Sequence, residues 1–374
     1  MNVLHLIETT GPGGAETVFV ELAKGLQRLG HRSFPVVHGR GWVQDALQAA
    51  GFDATPRPLG RTPDLAFIRA IRRLVRDERI TIIQTHLLGS AAYGAFIGRT
   101  TGTPVVSTFH GVNDLGRPGL GRTARLGAVR LGVARAVFVS HGLRDAVAPA
   151  LRLRQERTAV VYNGIDCNYF SPGRDENIRR QVGVQPGEIL VGAVGNVRPA
   201  KDYATFLRVA ALLCGRSPRW RFVIAGDTQE HEGLFNQLVT LRRELSLDDR
   251  VTFLGFQEDV PRVLRGLDAL LCSSTAEGFS LTICQALASN VPVVSTRCGG
   301  PEEILEHSAT GLLVDLGSDA ALVDALERVQ ADADLRAGLV RRGREMVVSR
   351  FSLDTMLREY QRVYEDVLRT RGKK

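Results

Sequence analysis

Two successive series of short apolar runs, each run followed by an amphipathic stretch, set the tightest limit on what this chain can fold into. Repeated strand–helix alternation builds parallel sheets with helices on both faces. In the first series the strand-like runs fall at residues 2–8, 33–38, 80–86, 104–109, 135–140 and 158–162. Between the first two, Ala15 to Leu29 has the clearest helical period, with Val18, Leu22, Leu26 and Leu29 on one stripe. A second series starts afresh near residue 188, with strands expected at 189–194, 221–225, 251–254, 267–272, 292–296 and 312–314. The turn formers Asn163-Gly164-Ile165-Asp166 and Phe170-Ser171-Pro172-Gly173 separate the two series.

This pattern predicts an α/β protein of two Rossmann-like, doubly wound domains, residues 1–170 and 171–352, facing each other across a cleft lined by their strands' carboxyl ends. A length of 374 residues agrees, since one hydrophobic core rarely serves so long a chain. Leu353 to Thr370 reads as a long terminal helix able to pack back on the first domain, with Gly372-Lys373-Lys374 as a frayed tail.

Several classes of protein are disfavoured. Residues 3–7 are too short an apolar run for a secretory signal, and the uncharged stretch Gly278 to Thr296 carries Ser, Thr, Gln, Asn and Pro, unlike a membrane span. The five cysteines (Cys167, Cys214, Cys272, Cys284, Cys298) are odd in number and form no CxxC, which predicts a reducing cytosol with neither disulfide framework nor zinc site. The formal charge of +8 is uneven: residues 1–175 hold 22 lysines and arginines against 13 acidic residues, the rest 26 against 27. A basic first half suits an anionic partner such as a membrane surface, a lipid phosphate or a charged glycan, or is simply a solvated arginine-rich surface. Nucleic acid fits poorly, because no aromatic-basic interleaving, zinc module or recognition helix is present.

The loops at the expected strand ends carry the chemistry. The first strand runs into Thr9-Thr10-Gly11-Pro12-Gly13-Gly14-Ala15-Glu16, where glycine permits close backbone approach and free amides at a helix start favour phosphate. A dinucleotide fingerprint fits badly: its third glycine would fall at Glu16, and His38-Gly39-Arg40 stands where an acidic ribose ligand belongs. Arg40 keeps a phosphorylated-ribose reading open. In the second half, Gly195-Asn196-Val197-Arg198-Pro199-Ala200-Lys201-Asp202 follows an apolar strand. Lys201, one of only four lysines, would neutralise a diphosphate there as a compact charge, with Arg198 assisting through its planar fork.

The most telling segment is Ser273-Ser274-Thr275-Ala276-Glu277-Gly278-Phe279-Ser280-Leu281-Thr282-Ile283-Cys284-Gln285. A strand ends, a loop carries Glu277, and a helix begins near Ser280, so the amides of Phe279, Ser280, Leu281 and Thr282 would aim at an anion. Glu277 and Gln285 stand eight residues apart, about 12 Å if mostly helical. That span suits one group on a sugar and one on a ribose. Arg297-Cys298-Gly299-Gly300-Pro301-Glu302-Glu303 reads as another edge loop, whose acids serve the site or merely the helix dipole. His110 lies at the carboxyl end of a first-half strand and either touches a sugar or is a structural loop histidine; His86 is a weaker candidate.

Together these residues resemble the family 4 retaining glycosyltransferases of the GT-B fold. The likeness runs from Gly13-Gly14-Ala15-Glu16 through Asn163-Gly164-Ile165-Asp166, Gly226-Asp227 and Gly299-Gly300 to Gly311-Leu312-Leu313-Val314. It implies that Gly13 and Gly14 meet the donor phosphate, His110 lies beside the transferred sugar, and Lys201 binds the diphosphate. Glu277 would then hold sugar hydroxyls, with the amides of Phe279 to Thr282 on the phosphates and Gly278 among the donor-binding residues. Two departures stand out. Gln285 replaces the second glutamate of the family's pair and offers fewer acceptor sites to a ribose. Asn196 replaces a common arginine, with Arg198 two residues later.

The resemblance implies transfer of a hexose-type sugar, with retention, from a nucleoside-diphosphate sugar to a hydroxyl of a glycan or lipid-linked acceptor, with no metal and no further cofactor. The change at Gln285 leaves open a catalytically weak sugar-nucleotide-binding partner subunit, and the architecture also accommodates a nucleotide-sugar epimerase.

Overall fold

The computed structural model describes residues 1–58 and 64–371; the expected tail, Gly372 to Lys374, lies outside them. It divides into two compact units, Met1–Gly164 joined by the helix Leu353–Arg371, and Ile165–Ser352. The division comes six residues ahead of the expected boundary at 170. The reason is local: Ile165 donates its N–H to Phe351 O and bridges Ser352, so the outgoing and returning chains leave side by side.

In the first unit β1 (Asn2–Leu6), β2 (Arg32–Val36), β3 (Ile82–His86), β4 (Val105–Phe109), β5 (Arg135–Phe138) and β6 (Thr158–Val160) form one sheet in the order β2-β1-β3-β4-β5-β6. Every pairing is parallel. β3 and β4 are buried along their whole length, as central strands covered on both faces must be. The helix Gly14–Arg28 buries Val18, Leu22 and Leu26 as its period requires, but Leu29 caps its end and is 46% exposed. The stripe therefore stops one turn earlier than expected, because the chain has already left the helix at Leu29.

The helix Leu353–Arg371 completes this unit. Leu353, Met356, Leu357, Tyr360, Tyr364 and Val367 are buried along one face. Gly25 on the helix Gly14–Arg28 lets the two helices touch, since a Cβ there would stand 2.4 Å from Leu357 Cδ1. Arg135 and Asp366 pair at 2.5 Å, and Gln361 bonds His31 at 2.9 Å.

In the second unit β7 (Ile189–Val194), β8 (Trp220–Ala225), β9 (Val251–Gly255), β10 (Ala269–Cys272), β11 (Val293–Thr296) and β12 (Leu312–Val314) form a sheet in the order β12-β11-β10-β7-β8-β9, again all parallel. Three of its largest buried side chains, Trp220, Phe206 and Phe222, belong to the core cluster that joins the sheet to the helix Tyr203–Arg216. In each sheet the strand order reverses once, between β1 and β3 and between β7 and β10. Loops leaving such a pair diverge to opposite faces and open a crevice at the carboxyl ends.

Candidate functional site

The second unit's reversal point holds Lys201 and Glu277. After β7 the chain turns at Gly195, whose φ of +152° favours glycine. Lys201 lies across that glycine: a Cβ there would stand 2.9 Å from Lys201 Cε. Tyr203 OH donates to Gly195 O at 2.5 Å and fixes the loop from below. Lys201 Nζ donates to Glu277 Oε1 at 2.7 Å, and the same oxygen accepts from Ser274 Oγ at 2.7 Å.

Backbone contacts explain how residues so far apart in sequence meet. Ser273 Oγ lies 3.1 Å from Lys201 O and 3.0 Å from Asp202 O, while Thr275 N donates to Ala200 O at 2.8 Å. On the other side Glu277 N donates to Cys298 O at 3.1 Å and Gly300 N to Glu277 O at 2.8 Å. Gly300 is needed there, since a Cβ would stand 2.9 Å from Phe279 Cα. Glu302 folds back to accept from the amides of Cys298 and Gly299, at 3.0 and 2.9 Å. Its carboxylate supports the loop.

The helix Leu281–Ala288 begins beside this pair. Ser280 makes no side-chain cap, and Thr282 Oγ1 donates to Val194 O at 3.1 Å, tying the helix start to the end of β7. The first amides of a helix carry its partial positive charge. Phe279 turns its ring inward against Phe351, centroids 5.5 Å apart, and is buried. Gly278 and Gln285 are half-buried. Because the helix starts only at Leu281 and Glu277 pairs with Gly299 as an isolated bridge, the expected helical span of about 12 Å from Glu277 to Gln285 does not apply.

Burial pulls the pKa of Lys201 down, but the carboxylate of Glu277, with help from Cys272 and Tyr203, more than reverses this and holds it above the usual lysine range. The site therefore offers a permanent ammonium beside a helix start. Two expected partners stand elsewhere. Arg198 sends Nε and Nη2 to Glu230 Oε2, at 3.0 and 2.7 Å, away from the Lys201–Glu277 pair. An acid 32 residues on claims its fork. Asn196 accepts from Asp227 N at 3.2 Å and braces the β7 and β8 loops.

In the first unit Gly13 precedes the helix Gly14–Arg28, and Glu16 folds back over it: a Cβ on Gly13 would stand 2.3 Å from Glu16 Oε2. Glu8 accepts from Gly89 N at 3.0 Å, and Asp114 accepts from His110 N at 2.6 Å and Gly111 N at 3.1 Å. Burial raises Glu8, and raises Asp114 to about 6, with repulsion from Glu8 and Glu16 adding to the latter. These carboxylates were missed in the sequence. Only Glu16, three residues into a glycine loop, gave any signal. His110 stacks on His86, centroids 5.1 Å apart, with His110 Nε2 2.9 Å from His86 Nδ1. Burial lowers His110 to about 3 and His86 well below the ordinary value, so both rings are neutral. Among the described residues no group of three or more His, Cys, Asp or Glu is placed to hold a metal ion.

Two doubly wound parallel sheets, the second with a lysine–glutamate pair at a helix start on its reversal point, define the GT-B class of sugar-transferring folds. Comparison with known proteins supplies the family. The profile described as Glycosyltransferase Family 4 matches residues 12–169, and the one described as Glycosyl transferases group 1 matches residues 174–346. The chain belongs to the family 4 type of GT-B glycosyltransferases. It is 26% identical to the N-acetyl-alpha-D-glucosaminyl L-malate synthase of Bacillus anthracis, over 96% of this chain and 95% of that protein. It is 22% identical to an Escherichia coli UDP-Gal:alpha-D-GlcNAc-diphosphoundecaprenol alpha-1,3-galactosyltransferase, over 87% and 86%. Anabaena HepE in complex with UDP-glucose superposes with a TM-score of 0.89 at 21% identity, covering 98% of this chain and all of that one.

Proposed function

We propose that this transferase moves a hexose-type sugar from a UDP- or GDP-sugar to a hydroxyl of a glycan or lipid-linked acceptor, with retained configuration, in building a bacterial cell-surface polysaccharide. The observation that carries the reading is the Lys201 ammonium, held 2.7 Å from Glu277 beside the start of the helix Leu281–Ala288. A diphosphate at that helix start would meet a fixed positive charge and backbone donors from Ser280 to Thr282. Glu277 would accept from hydroxyls of the sugar, and Gln285 from those of the ribose. By the family resemblance Gly14 would contact the donor phosphate, and His110 would lie beside the sugar.

In this mechanism the sugar–phosphate bond breaks as the acceptor oxygen bonds to the anomeric carbon on the same face. The departing phosphate oxygen takes the acceptor's proton. Lys201 and the amides stabilise the charge that collects on the diphosphate, so the reading includes independence from divalent metal. The two relatives reported above act, by their names, on a malate and a lipid-diphosphate acceptor, which supports a hydroxyl acceptor of this general kind. The working place is the cytoplasmic face of a membrane, with the basic first half toward anionic lipid.

A calorimetric panel of UDP- and GDP-sugars should find one donor that binds, and transfer should persist in chelator with an unchanged anomeric centre by NMR. Lys201→Ala and Glu277→Ala should each lower kcat/KM at least about 100-fold. Full activity in both would remove the proposed site. Binding without transfer or hydrolysis would favour a partner subunit, and an altered sugar without acceptor an epimerase.

A further inference from the structure

Behind His110 runs a buried hydrogen-bond chain that determines which of its nitrogens carries the proton. It starts on the terminal helix, where Tyr364 OH donates to Gln84 Oε1 at 3.0 Å. The other end of that amide lies 3.1 Å from the Thr85 carbonyl, which can only accept, so the nitrogen of Gln84 must be on that side. The same nitrogen lies 2.9 Å from Thr108 Oγ1, itself 2.9 Å from Tyr360 OH, and 3.3 Å from His86 Nε2.

The amide nitrogen has two protons for three neighbours and no lone pair to offer. Whichever way its protons are shared, a proton on His86 Nε2 would find no acceptor there, so His86 Nε2 must face it with a lone pair. A proton on both would set two donors against each other. The single proton of the neutral His86 ring then lies on Nδ1, directed at His110 Nε2 2.9 Å away. His110 must accept through Nε2 and carry its own proton on Nδ1. That nitrogen is buried and finds no partner among the described residues. A buried donor left unpaired is costly, so one at the carboxyl end of β4 calls for an acceptor from outside the chain.

We infer that Tyr364, Gln84 and His86 are positioning residues that lock His110 in the Nδ1–H tautomer, making it a hydrogen-bond donor to a hydroxyl oxygen of the bound sugar and denying it the role of general base. The assignment of a sugar as acceptor rests on the proposed transferase function; the tautomer does not. Nε2 has no free lone pair with which to take a proton.

Long-range nitrogen–proton NMR on the histidine-labelled, ligand-free protein tests the tautomer directly, with His110→Asn identifying the signals. His110 Nδ1 should appear as a protonated, pyrrole-type nitrogen and Nε2 as an unprotonated, pyridine-type one. The opposite pattern, or averaged signals, would overturn the inference. Gln84→Glu should invert both rings, because a carboxylate would draw the His86 proton to Nε2. His86→Gln, which retains an N–H donor, should preserve the wild-type pattern of His110. Should Gln84→Glu fail to fold, His86→Phe should give averaged His110 signals instead. In turnover, His86→Phe should lower kcat roughly tenfold with His86→Gln near wild type, the loss expected for one misdirected hydrogen bond. Equal rates for both variants would overturn the sugar contact. A protein with the stated tautomer and no transfer of any nucleotide sugar would instead sink the proposed function while leaving the tautomer standing.

Discussion

Lys201 and Asp114 show burial acting on charge with opposite results. Lys201 keeps its proton because Glu277 faces it, whereas Asp114 has only two backbone amides to set against burial and the nearby Glu8 and Glu16. The folded pKa of Asp114, about 6, exceeds its ordinary 3.8, so the native chain binds this proton more tightly than the unfolded chain. Stability is therefore lost as pH rises from about 4 to 6, and the penalty stays constant above that range. Asn at this position keeps an oxygen for both amides and removes the charge. Asp114→Asn should raise unfolding free energy by roughly 1–3 kcal/mol at pH 7.5 and by little at pH 4. Denaturant melts at the two pH values check it; an equal effect at both would mean that the carboxylate is not held against its charge. Glu277 and Lys201 were legible because each stands in a short loop of turn formers at a strand end. Asp114 was not, since only the packed loop brings Glu8, Glu16 and His110 around it. The partner of Arg198 was illegible for the same reason, its fork bonding Glu230 from the loop after β8.

The elements themselves were more legible than their neighbours in space. The twelve strands of the described residues lie within or beside the expected runs, because short, largely apolar runs punctuated by turn formers and alternating with amphipathic stretches have few other solutions. The strand order was not readable, and with it the fact that the β7 and β8 loops touch. Gly226, which follows β8, packs so tightly that a Cβ would stand 1.9 Å from Gly195 O, the oxygen that accepts from Tyr203 OH. That contact is backbone against backbone and cannot be relieved by turning a side chain. Gly226→Ala should therefore push Gly195 and the overlying Lys201 out of place. The expected result is about 1–3 kcal/mol lower stability, together with at least a tenfold weaker donor affinity. Calorimetry on the folded variant separates the two: unaltered donor binding would show that the loop pair does not set the lysine's position. The terminal helix gives a second case. Its apolar face was plain in the sequence, but the links of Tyr360 to Thr108 and Tyr364 to Gln84 span more than 250 residues and leave no periodic mark.

At the scale of the whole chain the charge asymmetry acquires a location. The helix Leu65–Asp77 carries Arg69, Arg72, Arg73 and Arg76, all exposed. The helix Leu88–Thr101, which packs between it and the helix Leu120–Gly132, adds Arg99, and the latter adds Arg122, Arg125 and Arg130. Asp77 is the one acid on these three helices, and none of the eight arginines forms an ion pair among the described residues. Exposed apolar side chains lie among them, with Leu120 91% and Leu131 73% exposed. No described helix is long and apolar enough to cross a membrane. A surface of unpaired guanidinium groups with leucines between them is instead suited to lie on lipid, arginines at the phosphates and leucines among the acyl chains. The occupant we propose is an anionic bilayer, where a lipid-linked acceptor would be presented. Sedimentation with vesicles should show binding when phosphatidylglycerol is included, little with phosphatidylcholine alone, and a steep loss as salt rises. Replacing Arg72, Arg73 and Arg76 together by Ser should weaken binding about a hundredfold, at about 1 kcal/mol for each charge, with donor affinity unchanged. Equal binding to neutral vesicles, or a triple variant that binds as before, would return these arginines to the role of a solvated surface. Retention of heparin in place of lipid would point to a soluble polyanion as the partner.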